Sequence, residues 1–173
     1  MPFPNAGAVD TSTKEGVRGY LFARLQAGQS SNMSNNDHLK FDTVVAFRGG
    51  DITLDTTTAF SAAQGAASIG RFTLKAGKTY KLRGQVPYIL CTGATGLVEV
   101  SFFDATLNAE LPGNRAVALV ATTATNDIGG GIAEAIFTPT QDTLVELRLT
   151  LVTAITQIGT SNVRMPTVLI ETI

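Results

Sequence analysis

Tyr80-Lys81-Leu82-Arg83-Gly84-Gln85-Val86-Pro87-Tyr88-Ile89-Leu90 is the stretch on which the fold turns. Tyr80, Leu82, Gly84, Val86, Tyr88 and Leu90 fall on one side of a period-two alternation, with Lys81, Arg83 and Gln85 on the other. Side chains of a strand point alternately to its two faces, so this pattern predicts a strand with one buried face. Further along, Val98, Val100 and Phe102 alternate with Glu99 and Ser101. The run Thr143 to Thr153 repeats the rule at greater length, with Val145, Leu147, Leu149 and Leu151 against Glu146, Arg148 and Thr150. Ile132 to Phe137 is a shorter apolar run ended by Thr138-Pro139, and Val163 to Ile173 closes the chain. Pro166 has no N–H for a ladder and marks an edge or a bulge there.

Toward the N-terminus the same reading continues. Gly19 to Leu25 predicts a first strand, Phe41 to Phe47 a second and Ile52 to Leu54 a third, with Gly49-Gly50-Asp51 as the turn between the last two. The loop Gln29–Asp37 is rich in Ser and Asn, whose side chains compete with backbone ladders. Residues 59–69 are Ala-rich, but Gly65 and the lack of caps favour a loop with at most one helical turn. Short strands at about 10–12-residue spacing, with no strong helix, predict an all-β antiparallel jelly-roll sandwich. Its core is expected to draw on Phe22, Phe41, Phe72, Leu82, Val86, Val100, Phe102, Ile136, Leu147, Leu149 and Val168. Each contributes roughly 1.5–3 kcal/mol on burial.

Two units follow: an extended N-terminal arm, 1–17, and the jelly-roll domain, 18–173. Pro2 and Pro4 remove donors while Gly7 and Gly16 loosen the backbone, so the arm has no packed element of its own. A neighbouring subunit, a partner protein or its own domain would hold it. Its apolar residues Pro2, Phe3, Pro4, Val9 and Val17 are the candidate partner-binding residues.

Composition excludes several functions. The 173 residues are enough to bury a core without disulfides or metal. Charged residues are 16% against roughly 25% in soluble domains. Either partners cover part of the surface, or Thr, Ala and Gly make it neutral. The formal net charge is −1, with no basic stripe for phosphates and no polybasic segment for anionic lipid. Neither nucleic acid nor membrane is expected as a partner. The first residues lack a basic segment followed by an apolar one, so no secretory signal is read and synthesis is expected in a cytoplasm.

The chemistry of sites is equally sparse. Cys91 lies in the apolar run Tyr88-Ile89-Leu90 and reads as a small buried hydrophobe. His38 is the single histidine and reads as a solvated loop residue, so a zinc site or a serine triad has too few members. Asp51 and Asp55 could meet to bind calcium, but no Asp-x-Asp-x-Asp-Gly pattern accompanies them. Gly129-Gly130-Gly131 is followed by no Lys-Ser/Thr and reads as a turn. Glu99, Glu134 and Glu146 fall on polar strand faces and read as solvated charges. Trp is absent, and stacking platforms for sugars or single strands are not expected. No catalytic residue, cofactor or metal is expected, and the chain is not expected to be an enzyme.

The segment Gly70-Arg71-Phe72-Thr73-Leu74-Lys75-Ala76-Gly77-Lys78-Thr79-Tyr80-Lys81-Leu82 resembles the complement-globular-head and tumour-necrosis-factor-like jelly rolls. There a Gly-x-Phe-Thr stretch leads through a Gly turn into a Tyr-containing strand, and Gly70, Phe72, Gly77 and Tyr80 fill those places. Leu39-Lys40-Phe41-Asp42 looks like the family's earlier strand. Phe102-Phe103-Asp104-Ala105-Thr106 and Phe137-Thr138-Pro139-Thr140-Gln141-Asp142-Thr143 resemble small virion proteins of tailed bacteriophages that carry this fold. Leu82 stands where a second aromatic is usual, and Val168-Leu169-Ile170-Glu171 where an aromatic-Gly pair is usual. The resemblance implies a homotrimer that buries apolar strand faces between subunits, which fits a mean hydropathy of +0.18. It implies a bacteriophage virion structural protein, a capsid decoration or cement protein that stabilises the head lattice. The partners would be its own copies and the major capsid protein, and the place the capsid surface. A receptor-binding or adhesin tip of a tail or head fibre is the alternative, with Gln29–Asp37 and Thr122–Gly131 as contact loops.

Overall fold

The computed structural model describes residues 18–26, 28–29, 33–56, 70–91, 96–120, 126–127, 130–159 and 164–173. The expected arm with Pro2, Phe3, Pro4, Val9 and Val17 lies outside the described residues, as do 59–69 and parts of the loops Gln29–Asp37 and Thr122–Gly131. Among the described residues the chain forms strands and no helix: β1 (Tyr20–Arg24), β2 (Thr43–Arg48), β3 (Ile52–Leu54), β4 (Phe72–Leu74), β5 (Tyr80–Gln85), β6 (Tyr88–Cys91), β7 (Gly96–Asp104), β8 (Ala109–Glu110), β9 (Gly113–Asn114), β10 (Ala116–Val120), β11 (Asn126–Asp127), β12 (Ile132–Phe137), β13 (Thr143–Thr153), β14 (Ile155–Ile158) and β15 (Thr167–Thr172).

They build an antiparallel jelly-roll sandwich. One sheet has the order β2-β1-β15-β5-β12-β9 and the other β10-β7-β13-β4-β3, with β8 hung on β7. A smaller sheet, β11-β6-β14, is formed beside them. The two large sheets meet at Gly84. A Cβ there would lie 2.7 Å from Leu147 Cδ2 and 3.2 Å from Phe102 Cζ, so glycine is what lets β5 approach β13 and β7. Around it Leu82, Val100, Phe102, Leu147, Leu149, Val168 and Ile170 are buried. Phe41 and Phe72 pack with ring centroids 5.7 Å apart and planes tilted by 50°.

The four residues that carry the family resemblance each have a physical role. Gly70 adopts φ +83°, and a Cβ there would sit 2.5 Å from Lys40 Cα, so the chain before β4 can cross the 39–41 segment only as glycine. Phe72 is buried beside Phe41. Gly77 makes the turn into β5 at φ +77° and donates its N–H to the Pro139 carbonyl. Tyr80 is buried, and its hydroxyl donates to the Lys75 carbonyl at 2.9 Å, tying that turn to the strand it begins.

The β13 edge facing β4 is longer than β4 itself. Beyond Val145, where β4 stops, residues 36–39 take over. Leu39 N–H donates to Leu147 O, Asn36 N–H to Leu149 O, and Leu149 N–H to Asp37 O. The polar loop thus ends as a strand-like extension of the sheet.

Several expectations are corrected. Tyr88 and Leu90 do not continue the face of Tyr80, Leu82 and Val86: Pro87 interrupts the strand, β6 joins the small sheet, and Ile89 becomes the buried residue. Phe22 is only half-buried, because Leu21 and Ala23 oppose the buried Ile170 and Val168 and thereby take the core face. Ile136 is 57% exposed, since Ala133 and Ala135 point inward and leave Ile132 and Ile136 outside. Leu151 leaves the core because the β13–β7 register shifts between Leu149 and Leu151.

Candidate assembly surface

The outer faces of the two sheets differ in chemistry. On the sheet containing β13, the face is closed by its own charges. Glu146, 1% exposed, accepts Arg71 Nε at 2.7 Å and Arg148 Nε at 2.6 Å. His38 Nδ1 lies 3.7 Å from the same carboxylate, and the Arg148 guanidinium covers the Phe103 ring at 4.1 Å. Buried charge of this kind is tolerable only when paired and hydrogen-bonded. Glu146 is therefore not the solvated charge expected of it, and His38, with its side chain 11% exposed, is not a solvated loop residue. Both are drawn in because the 36–39 extension and Arg71 bring partners to β13.

A second network lies beside β7. Arg115 donates to both oxygens of Glu110 at 2.8 and 2.7 Å, and to Glu99 at 2.5 Å. Thr150 Oγ1 donates to Glu99 as well. The hydrogen bonds that Arg115 donates to Glu110, then to Glu99, raise its pKa, and the hydrogen bond from Arg115 lowers that of Glu110.

The outer face of the six-stranded sheet is of another kind. The registers set out three rows. Tyr20, Glu171, Lys81 and Ile136 form one, and Phe22, Leu169, Arg83, Glu134 and Asn114 the next. Arg24, Thr167, Gln85 and Ile132 form the third. Half-buried Tyr20, Phe22 and Leu169 thus share a face with exposed Ile132 and Ile136. One small charge cluster crosses it, Arg83 Nε–Glu134 at 2.9 Å and Lys81–Glu134 at 3.8 Å.

The flank next to β12 exposes further apolar residues, which stand on the outer face of the other sheet, where Val117 pairs with Glu99. β10 is an edge strand whose Ala116 and Ala118 face the core, while Val117 and Leu119 are 47% and 45% exposed. Gly131 N–H donates to the Val117 carbonyl, which brings this edge against the start of β12. β9 is only two residues long, and the Asn114 carboxamide extends its pairing with β12 through Ile132 O and Glu134 N. Beyond it opens a groove of about 390 Å³ lined by Lys81, Pro112, Asn114, Glu134 and Ile136. At the opposite end of the same sheet, β2 exposes Val44, Val45 and Phe47, the last at 67%. Edge strands with exposed apolar residues are pairing templates unless something covers them.

The remaining sequence candidates are placed as follows. Asp51 accepts Lys78 Nζ, and its carbonyl accepts Lys75 N–H; Asp55 pairs through its backbone with Gly70 and Arg71. Among the described residues no group of three or more His, Cys, Asp and Glu is gathered to hold a metal. Cys91 is half-buried and packs at the core margin rather than inside it. Gly131 and its neighbour Gly130 run close to β10 and to Val86 O, where a Cβ at Gly130 would stand 2.2 Å away. The exposed residues Phe47, Val117, Leu119, Ile132 and Ile136 were missed by sequence reading; the available signal was apolar residues in both phases of a strand.

No protein-family model and no curated protein sequence matches the chain. Solved structures do. Murine APRIL at pH 8.5 superposes with a TM-score of 0.55 and 14% identity over 89% of this chain and 98% of its own. Murine APRIL at pH 5.0 gives 0.54 and 13% over the same shares. The PRD1 vertex protein P5 gives 0.46 and 16% over 91% and 99%. The chain has the tumour-necrosis-factor-like jelly-roll fold.

Proposed function

We propose that the chain is a non-catalytic structural protein of a bacteriophage virion, a homotrimer that decorates the capsid and cements its lattice. The observation that carries the self-association is the asymmetry of the sandwich. One outer face carries the paired charges Arg71–Glu146–Arg148 and Glu99–Arg115–Glu110, with Val117 and Leu119 at its β10 edge, whereas the other leaves Ile132 and Ile136 exposed beside half-buried Tyr20, Phe22 and Leu169. Apolar surface collected on one side of a domain is what a closed symmetric assembly buries. The virion placement rests on the resemblance of residues 102–106 and 137–143 to small phage virion proteins. In this reading the arm 1–17 grips the shell through Pro2, Phe3, Pro4, Val9 and Val17.

The test is co-sedimentation with virion capsids stripped of this protein. Deletion of residues 2–16 leaves the native mass unchanged and abolishes binding. A truncated trimer that still binds would reject the arm as the grip. A full-length trimer that ignores capsids and binds host cells would move the chain to a fibre tip.

A further inference from the structure

We infer that the N-terminal segment 1–17 docks on β2 of its own chain, with Phe3 and Val9 covering Phe47 and Val44. The inference concerns the free chain and stands apart from the capsid reading; gripping a shell would draw the same residues off β2.

β2 is an edge strand, and its register decides what it exposes. Phe47 stands opposite Leu21 and Val44 opposite Ala23, both buried residues of β1. Phe47 and Val44 are therefore in the phase of the ladder that faces the core, yet they are 67% and 38% exposed. The cause is the facing sheet. Its last strand, β3, lies against β1, and β2 overhangs it. The apolar layer begun by Leu21 and Ala23 is thus left open along β2, and a large aromatic so placed is costly to leave in water.

The occupant follows from where the chain enters the fold. Gly19 lies beside the end of β2 that carries Phe47: a Cβ on Gly49 would be 3.6 Å from Gly19 Cα, and one on Gly19 would be 3.3 Å from the Arg48 carbonyl oxygen. Residues 1–17 join the domain at that point. Residues 57–69 join it near the other end of β2, where Gly70 packs against Lys40 and Phe41. Covering a strand the length of β2 takes about six extended residues, roughly 20 Å, so residues 1–15 suffice after a reversal that Gly16 permits. They include Phe3 and Val9 for the apolar layer. They also include Asp10 and Glu15 for Arg48, which has no acidic partner among the described residues. A segment tethered beside its site acts at high effective concentration, an advantage that a separate partner lacks.

The chain contains no Trp, so Phe47→Trp is a unique fluorescent probe of this place. In the full-length chain its emission is expected to be blue-shifted, poorly quenched by acrylamide and unchanged on dilution. Deleting residues 2–16, or substituting Phe3→Ser with Val9→Ser in the full chain, is expected to shift emission to the red and raise quenching several-fold. Without the probe, amide exchange of residues 44–48 in the wild-type chain is expected to quicken several-fold on the same deletion. A solvent-exposed Trp in the full-length chain, or exchange that the deletion leaves unchanged, would overturn the docking. So would a shielded Trp that ignores both the deletion and the substitutions. Shielding that is then lost on dilution would assign β2 to a second copy, and shielding that is kept would assign it to another part of the chain. None of these readings involves capsids, so failure of the virion reading is distinguishable from failure of this one.

Discussion

Glu146 concentrates more of the architecture than any other residue. Its carboxylate joins Arg71, ahead of β4, to Arg148 on β13, next to the 36–39 extension. Removing one member of a buried charge cluster leaves the others uncompensated, so Glu146→Ala should cost about 3 kcal/mol or more in chemical unfolding. Tyr80 is the second such residue. Burial, followed by the Asp51 charge, raises its pKa above the ordinary 10.0. A raised folded pKa means that the stabilisation is complete below the unfolded value and is lost as pH rises through the folded one. Stability should therefore fall above pH 10, and Tyr80→Phe should remove that alkaline loss while costing about 1 kcal/mol near neutrality, for the hydrogen bond to Lys75 O. Melting curves from neutral to strongly alkaline pH check both statements.

At the scale of elements, two carboxylates link strands and turns and respond to acid. Glu110 is held below the ordinary carboxylate value chiefly by its hydrogen bond from Arg115, and Asp142 chiefly by that from Lys75. A depressed folded pKa stabilises above the unfolded value, and the contribution disappears as pH falls through the folded one. Acidification from pH 4.5 downward should therefore lower the melting temperature, and Arg115→Gln should flatten part of that slope. Both groups are largely exposed, so the effect is small and shrinks with salt. A 1 M salt control checks it.

The strands also show what alternation can and cannot convey. β7 and β13 were legible because one phase was apolar and the other polar, so Val98, Val100, Phe102, Val145, Leu147 and Leu149 took the core. β1 and β12 carry apolar residues in both phases, and there small Ala23, Ala133 and Ala135 are the inward ones. The phase was set by Val168, Leu82 and Gly84 across the ladder, contacts that local sequence does not contain. Burial of Glu146 was equally out of reach, because its partner Arg71 lies 75 residues away.

For the whole molecule, the same apolar excess that obscured those phases is the basis of assembly. An edge bearing Val117 and Leu119 next to Ile132 and Ile136 has no covering within the described chain. The account requires that other copies cover it. The most direct test is the native mass of the purified full-length chain, measured by size exclusion with light scattering over a wide concentration range. The account predicts about three times 18.1 kDa. A mass of 18.1 kDa that persists at high concentration would contradict it, since the apolar flank would then face water at no cost to solubility.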